Sequence, residues 1–226
     1  MKKLFIVGNW KSYKTQFEAI EWFTQFTNTS LVLADTENKI IILCPPFPLL
    51  ATLEDLIAKS INNTNLNLNL GCQNVSSFEE GAFTGEVSAK LLSGFCKYVI
   101  IGHSERRINF KETDDQLRRK VELTKRFNMT PIFCIQGKET IIPDGVDVVA
   151  YEPVFAIGTG KPDDPNDAEE VACYVKEKYK VSVVLYGGSV NENDVTSFTN
   201  QPHIDGVLVG GASRDAISFT KIIKNA

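Results

Sequence analysis

Eight short apolar runs, recurring roughly every thirty residues with helix-period patterns between most of them, constrain this 226-residue chain more than any other feature. The strand-like runs fall at 4–7, 40–44, 66–73, 98–101, 131–135, 148–152, 181–186 and 206–209. Helical patterns fall at 17–26, 49–60, 87–95, 113–127, 167–179 and 193–199. Consecutive strands joined through helices must run parallel, because a parallel pair needs a long crossover where an antiparallel pair needs only a turn. Eight such units predict an α/β fold closed as a (β/α)8 barrel, with an open doubly wound sheet as the alternative. No linker or change of composition interrupts the pattern, so residues 1–226 read as one domain. Asp164-Pro165 marks one helix start, since Asp can cap free N–H groups and Pro suits the first helical position.

One interval breaks the rhythm. Only Lys138 through Asp147 separate the fifth and sixth runs, and Pro143 and Gly145 within it oppose a helix. The fifth helix is therefore expected to be reduced to a loop or single turn while all eight strands remain. Ile141, Ile142 and Val146 are then expected to cover part of the outer barrel surface that a helix usually shields.

In barrels of this kind reacting groups come from the carboxyl ends of different strands, so polar residues there carry the information. The sixth run ends Tyr151-Glu152-Pro153, and with a period of two Glu152 continues the face of Val148 and Ala150. Gly158-Thr159-Gly160-Lys161 follows, offering uncrowded backbone N–H groups and a positive charge suited to a small anion. The first run ends Asn9-Trp10-Lys11, with Asn9 and Lys11 on one face and Trp10 on the other. The fourth ends at His103, in phase with Val99 and Ile101, where Ser104-Glu105-Arg106-Arg107 opens like a helix. The partial positive charge of a helix start disfavours imidazolium, so His103 is expected to act as a neutral donor to a carbonyl oxygen. The last two runs end Gly187-Gly188-Ser189 and Gly210-Gly211-Ala212-Ser213, paired glycines that let backbone N–H groups approach a phosphate.

Composition excludes several classes. With 43% hydrophobic and 23% charged residues, net charge −4 and no apolar run of membrane length, neither nucleic acid nor membrane is expected as a partner. The apolar stretch after Met1-Lys2-Lys3 stops at Gly8-Asn9, too short for a signal peptide, so the expected location is the cytoplasm. Five scattered cysteines and two histidines fit neither a disulfide framework nor a zinc site, and the cysteines read as reduced core residues.

Across nearly the whole chain the motifs resemble the triosephosphate isomerase family. They are Asn9-Trp10-Lys11, Gly81-Ala82-Phe83-Thr84-Gly85-Glu86, Gly102-His103-Ser104-Glu105-Arg106-Arg107, Tyr151-Glu152-Pro153-Val154, Ala156-Ile157-Gly158-Thr159-Gly160-Lys161, Tyr186-Gly187-Gly188-Ser189-Val190 and Val209-Gly210-Gly211-Ala212-Ser213, in the family's order. The resemblance implies interconversion of dihydroxyacetone phosphate and D-glyceraldehyde 3-phosphate without cofactor or metal. It implies Glu152 as the base, His103 as the neutral proton shuttle, Lys11 as the cation facing enediolate charge, and Glu105 as the residue positioning Lys11. It further implies Asn9 as an orienting group, with Gly158, Ser189, Gly210 and Gly211 on the phosphate and residues 153 to 161 as a closing lid. By the same resemblance the long apolar connection from Ser76 to Thr84, carrying Phe78 and Phe83, inserts near Lys11 of a second copy. A homodimer is the expected assembly, with a tetramer as the alternative. Rival readings are a phosphate-binding barrel with lyase or synthase chemistry and a sugar-phosphate binder without turnover.

Two departures from the family pattern stand out. Gln136-Gly137 stands where the family has Gly-Glu, and Phe155 where it has Trp, so a carboxylate and an indole that can pair at the lid's base are missing together. The second is the shortened stretch between the fifth and sixth runs.

Overall fold

A computed structural model describes residues 2–29, 31, 33–60, 68–153 and 162–226. Eight parallel strands close into a barrel in sequence order, with the eighth pairing back on the first. The strands are β1 Leu4–Asn9, β2 Lys39–Cys44, β3 Leu68–Cys72, β4 Tyr98–Ile101, β5 Thr130–Ile135, β6 Val148–Tyr151, β7 Val183–Tyr186 and β8 Gly206–Val209. Around them run α1 Gln16–Thr27, the short α2 Leu33–Thr36, α3 Leu50–Ser60, α4 Ala89–Leu92, α5 Ser104–Phe110, α6 Asp114–Arg126, α7 Pro165–Tyr179, α8 Val195–Thr199 and α9 Ala216–Asn225. The closed barrel disposes of the open-sheet alternative.

Alternation along the strands divides the core in two. Inside the barrel lie Val7, Ile42, Ile100, Ile132, Val148, Ala150, Leu185 and Leu208. Between strands and helices lies the larger cluster, in which Trp10 and Trp22 meet edge to face at 5.0 Å and Trp22 stacks on Phe26 at 4.8 Å. Burying each such aromatic side chain contributes about 1.5–3 kcal/mol. The two indole N–H groups converge on one carbonyl, that of Ser213, at 3.0 and 3.1 Å. Ser213 Oγ in turn donates to Gly210 O at 2.7 Å, so the loop after β8 rests on the aromatic layer.

Helix starts follow local chemistry. Thr15 with Glu18, and Thr113 with Gln116, form reciprocal capping boxes at α1 and α6. Asp164 accepts from the Asn166 N–H at 2.8 Å with Pro165 in the first turn of α7.

The connection from β5 to β6 contains no helix. Lys125 on α6 donates to Gly145 O at 2.7 Å, Lys138 pairs with Glu170 on α7 at 2.5 Å, and the Tyr179 hydroxyl donates to Thr140 O at 3.4 Å. Ile142 and Val146 are buried, but Ile141 is 69% exposed and covers nothing, contrary to expectation, because the strapped loop can turn only part of its apolar set inward.

Some boundaries differ from the sequence reading. The pattern at 87–95 yields only α4, since the Ser76 N–H donates to Val87 O at 2.9 Å and Val87 closes the preceding connection instead of opening a helix. The pattern at 193–199 begins as a polar turn, with Asn191 and Asp194 side chains accepting backbone N–H groups before α8 starts. Of the cysteines, Cys44, Cys72, Cys96 and Cys134 are buried, whereas Cys173 on α7 is only half-buried. The first residues of the expected third strand, and Phe155, Gly158 and Lys161 of the expected lid, lie outside the described residues.

Candidate active site

A cavity of about 250 Å³ opens at the carboxyl ends of the strands. Asn9, Lys11, His103, Glu152, Ser189, Gly210 and Gly211 all line it, although they come from five different strand ends. Asn9 ends β1, and its Oδ1 accepts the Lys11 N–H at 3.0 Å, while Trp10 turns outward into the aromatic layer. Lys11 takes the left-handed conformation, φ 55°, which is unfavourable for a lysine and must be held by its surroundings. Gln73 holds it, donating its side-chain amide to Lys11 O at 2.8 Å and to Cys44 O at 2.9 Å.

Lys11 Nζ pairs with Glu105 Oε1 at 2.5 Å. Glu105 does not line this cavity; it faces a second one of about 310 Å³ on the other side of Lys11 and His103, walled by Pro46, Phe47 and Phe110. Below that second cavity Glu112 takes both Arg106, at 2.6 Å, and Lys120 on one oxygen.

His103 caps α5. Its Nδ1 accepts the Glu105 N–H at 3.2 Å, and a ring nitrogen that accepts carries no proton, so the ring's proton belongs on Nε2. Nε2 faces Glu152 Oε1 at 3.1 Å. The other carboxylate oxygen of Glu152 accepts the Ser104 N–H, the first of α5, at 2.9 Å. Glu152 is 1% exposed, and this carboxylate has exchanged water for the His103 imidazole, the Ser104 N–H and the Cys134 thiol. Its backbone remains in the barrel, with the Glu152 N–H donating to Ile135 O at 2.7 Å, one residue past the end of β6. Gly187 passes so close that a β-carbon there would stand 3.0 Å from Glu152 Cγ. Beneath it lies Cys134, whose thiol is pushed well up by burial first and then by the Glu152 charge and hydrogen bond.

Sequence reasoning passed over Gln73, Ser104 and Cys134. Gln73 stood at the end of its run and could have been found by the rule applied to the other strands; Ser104 acts through its backbone, which no side-chain pattern reveals. At Gly137 the structure alters an expectation. Glu139 folds its carboxylate over Gly137, into the space a side chain at 137 would occupy, so an acid is present at that spot from two residues further along. The neighbouring Gln136 Nε2 is buried with no hydrogen-bond partner among the described residues.

The family model for triosephosphate isomerase matches residues 4–145 and 142–226. The chain belongs to the triosephosphate isomerase family. Triosephosphate isomerase of Picosynechococcus sp. is 40% identical, with 99% of each chain covered. Those of Carboxydothermus hydrogenoformans and Mesomycoplasma hyopneumoniae are 37% and 38% identical over the full length of both chains. Membership makes this chain an enzyme of the isomerase class. The two matched blocks of the triosephosphate isomerase model meet at the shortened connection between β5 and β6. Among the described residues no cluster of three or more His, Cys, Asp or Glu side chains could hold a metal ion, and no helix is long and apolar enough to cross a membrane.

Proposed function

We propose that this chain interconverts dihydroxyacetone phosphate and D-glyceraldehyde 3-phosphate through an enediolate, with Glu152 as the base. The observation that carries the reading is the contact of Glu152 with His103 Nε2 at 3.1 Å in a cavity that also holds Lys11. Glu152 must leave the Ser104 N–H to reach a substrate carbon, and it then removes the proton next to the carbonyl. His103, donating from Nε2, polarises the carbonyl and passes a proton between the two oxygens, and Lys11 faces the charge that develops. Ser189, Gly210 and Gly211 take the phosphate. Closure of residues 153 to 161, with Gly158 on the phosphate, excludes water and restrains the enediolate from expelling phosphate. The part played by Gly158 rests on the sequence resemblance alone. No cofactor or metal is required, because proton transfers between carbon and oxygen need only the base, the shuttle and the cation.

The proposed assembly is a homodimer in the cytoplasm. Phe78 and Phe83 stack on each other at 4.2 Å yet remain 47% and 41% exposed, and the second cavity offers an apolar recess beside Lys11. Glu79, held by Arg119 at 3.0 Å and Arg126 at 2.9 Å, presents that connection from its own subunit. A coupled isomerase assay on purified protein, with Glu152→Gln as the comparison, tests the activity. Equal turnover by the two proteins would sink the base assignment.

A further inference from the structure

The loop after β8 continues into a 3-10 turn, Gly211–Arg214, whose first residue lines the active-site cavity. Arg214 folds back along this turn. Its Nε donates to Gly211 O at 3.3 Å, and its Nη2 lies 3.7 Å from where a β-carbon on Gly211 would stand. The guanidinium also lies over the Tyr13 ring, 4.1 Å from the centroid. Ring and carbonyl together fix a side chain that otherwise has many rotamers.

Among the described residues no carboxylate comes within 4.0 Å of this guanidinium. Three carboxylates, Glu18, Asp215 and Glu21, act on the neighbouring Lys14 from the same side, and two of them are also engaged by helix N–H groups. Asp215 Oδ1 caps α9 by accepting the Ser218 N–H at 2.7 Å, and Glu18 is taken up in the capping box with Thr15. Lys14, whose Nζ lies 5.2 Å over the Trp10 ring, adds a second positive charge on the same side. A fixed cation therefore stands behind the Gly211 backbone, outside the residues lining the cavity, with no direct ion pair among the described residues.

We propose that Arg214 is a positioning charge for the phosphate end of the site: a cation clamped by Tyr13 behind the Gly210-Gly211 loop that strengthens capture of dianionic ligands without touching them. The inference rests on the triose phosphate reading above. Two negative charges facing one fixed positive charge attract even across partly screened space, and both ground state and transition state carry the phosphate, so the effect falls on binding and not on turnover.

Arg214→Met keeps the stem over Tyr13 and removes the charge, while Arg214→Lys restores a charge without the planar fork. KM, kcat and the inhibition constant of inorganic phosphate, measured from low to physiological ionic strength, read the effect. Arg214→Met is expected to raise KM and the phosphate inhibition constant about threefold at low salt, leave kcat unchanged and flatten the salt dependence. Arg214→Lys is expected to recover most of the loss, and Tyr13→Leu, which frees the guanidinium, to show a smaller shift in the same direction. Unchanged KM, phosphate inhibition and salt slope in Arg214→Met would overturn the proposal, as would a fall in kcat alone. Binding of inorganic phosphate followed by phosphorus NMR on the same proteins decides the role of Arg214 even if the wild-type chain fails to turn over triose phosphate, an outcome that would instead refute the functional reading.

Discussion

The side-chain amide of Gln73 donates to the carbonyl of Lys11 at 2.8 Å, so the segment after β3 holds the backbone of the cation after β1 in its left-handed turn. Gln73→Leu removes that bond and the one to Cys44 while keeping most of the side-chain volume. It should destabilise the fold by about 1–3 kcal/mol and lower kcat, because the Lys11 ammonium loses its fixed origin. Denaturant unfolding and steady-state kinetics on the same variant check both effects, and an unchanged kcat would show that Glu105 alone positions Lys11.

For Glu152, two substitutions separate charge from reach. Glu152→Gln should fold, bind inorganic phosphate and lose most turnover, whereas Glu152→Asp keeps the charge but withdraws it by one methylene and should also fall by a factor of about 100 or more. A near wild-type rate in Glu152→Asp would contradict the proposed geometry.

Gly206 closes the barrel at φ 147°, and a β-carbon there would collide with the carbonyl of Phe5 on β1. Gly206→Ala should therefore cost about 3 kcal/mol or more, since neither strand can move without opening the β8–β1 seam. Thermal unfolding provides the check, and a midpoint within a degree or two of wild type would be inconsistent with the observed conformation.

Asp163 is a buried carboxylate against two tyrosines: the Tyr151 hydroxyl donates to its Oδ2 at 3.3 Å and its own N–H donates to the Tyr186 oxygen at 2.7 Å. Burial foremost, with Asp167 and Asp164 adding to it, raises its pKa above the ordinary 3.8 despite the opposing hydrogen bonds from Asp164 and Tyr151. A carboxyl raised in the folded state binds its proton more tightly there than in the unfolded chain, so ionisation weakens the fold at neutral pH. Asp163→Asn should thus be the more stable protein at neutral pH, with the advantage shrinking as pH falls through the raised pKa and gone below 3.8. Unfolding curves across that range test the sign, and an advantage that grows in acid would refute it.

If the connection carrying Phe78 and Phe83 seats in a second copy, Phe83→Asp should yield a monomer by sedimentation with activity much reduced, because the recess beside Lys11 would then stand open. A fully active monomer would exclude the proposed dimer.

The barrel was legible because strand ends, glycine pairs and caps each follow from local chemistry, and the missing helix because ten residues with Pro143 and Gly145 cannot build one. Less could be read where a residue acts through something other than its side chain or its expected neighbour. Val87 looks like a helix residue but closes a connection with Ser76; Ser104 matters for an N–H; and Glu139 reaches back over Gly137 by a side-chain fold that spacing does not show. Glu152 illustrates the middle case: its face was evident from Val148 and Ala150, but its partners His103 and Ser104 lie on a strand end and helix far away in sequence.

The helix-free connection also bears on the order in which the chain assembles. Ile132 on β5 pairs with Val148 on β6 only sixteen residues later, whereas Tyr98 on β4 reaches Thr130 on β5 thirty-two residues later and Val148 reaches Val183 on β7 thirty-five later. Halving a loop lowers its closure entropy by about 0.6 kcal/mol, so β5 and β6 form the parallel pair of these three that is least expensive to bring together from the unfolded chain. In most (β/α) units the chain must bring two strands together across a whole helix; here β5 and β6 meet across a short loop, so this pair is expected to form early in the closed barrel, beside the strand that ends in the proposed base.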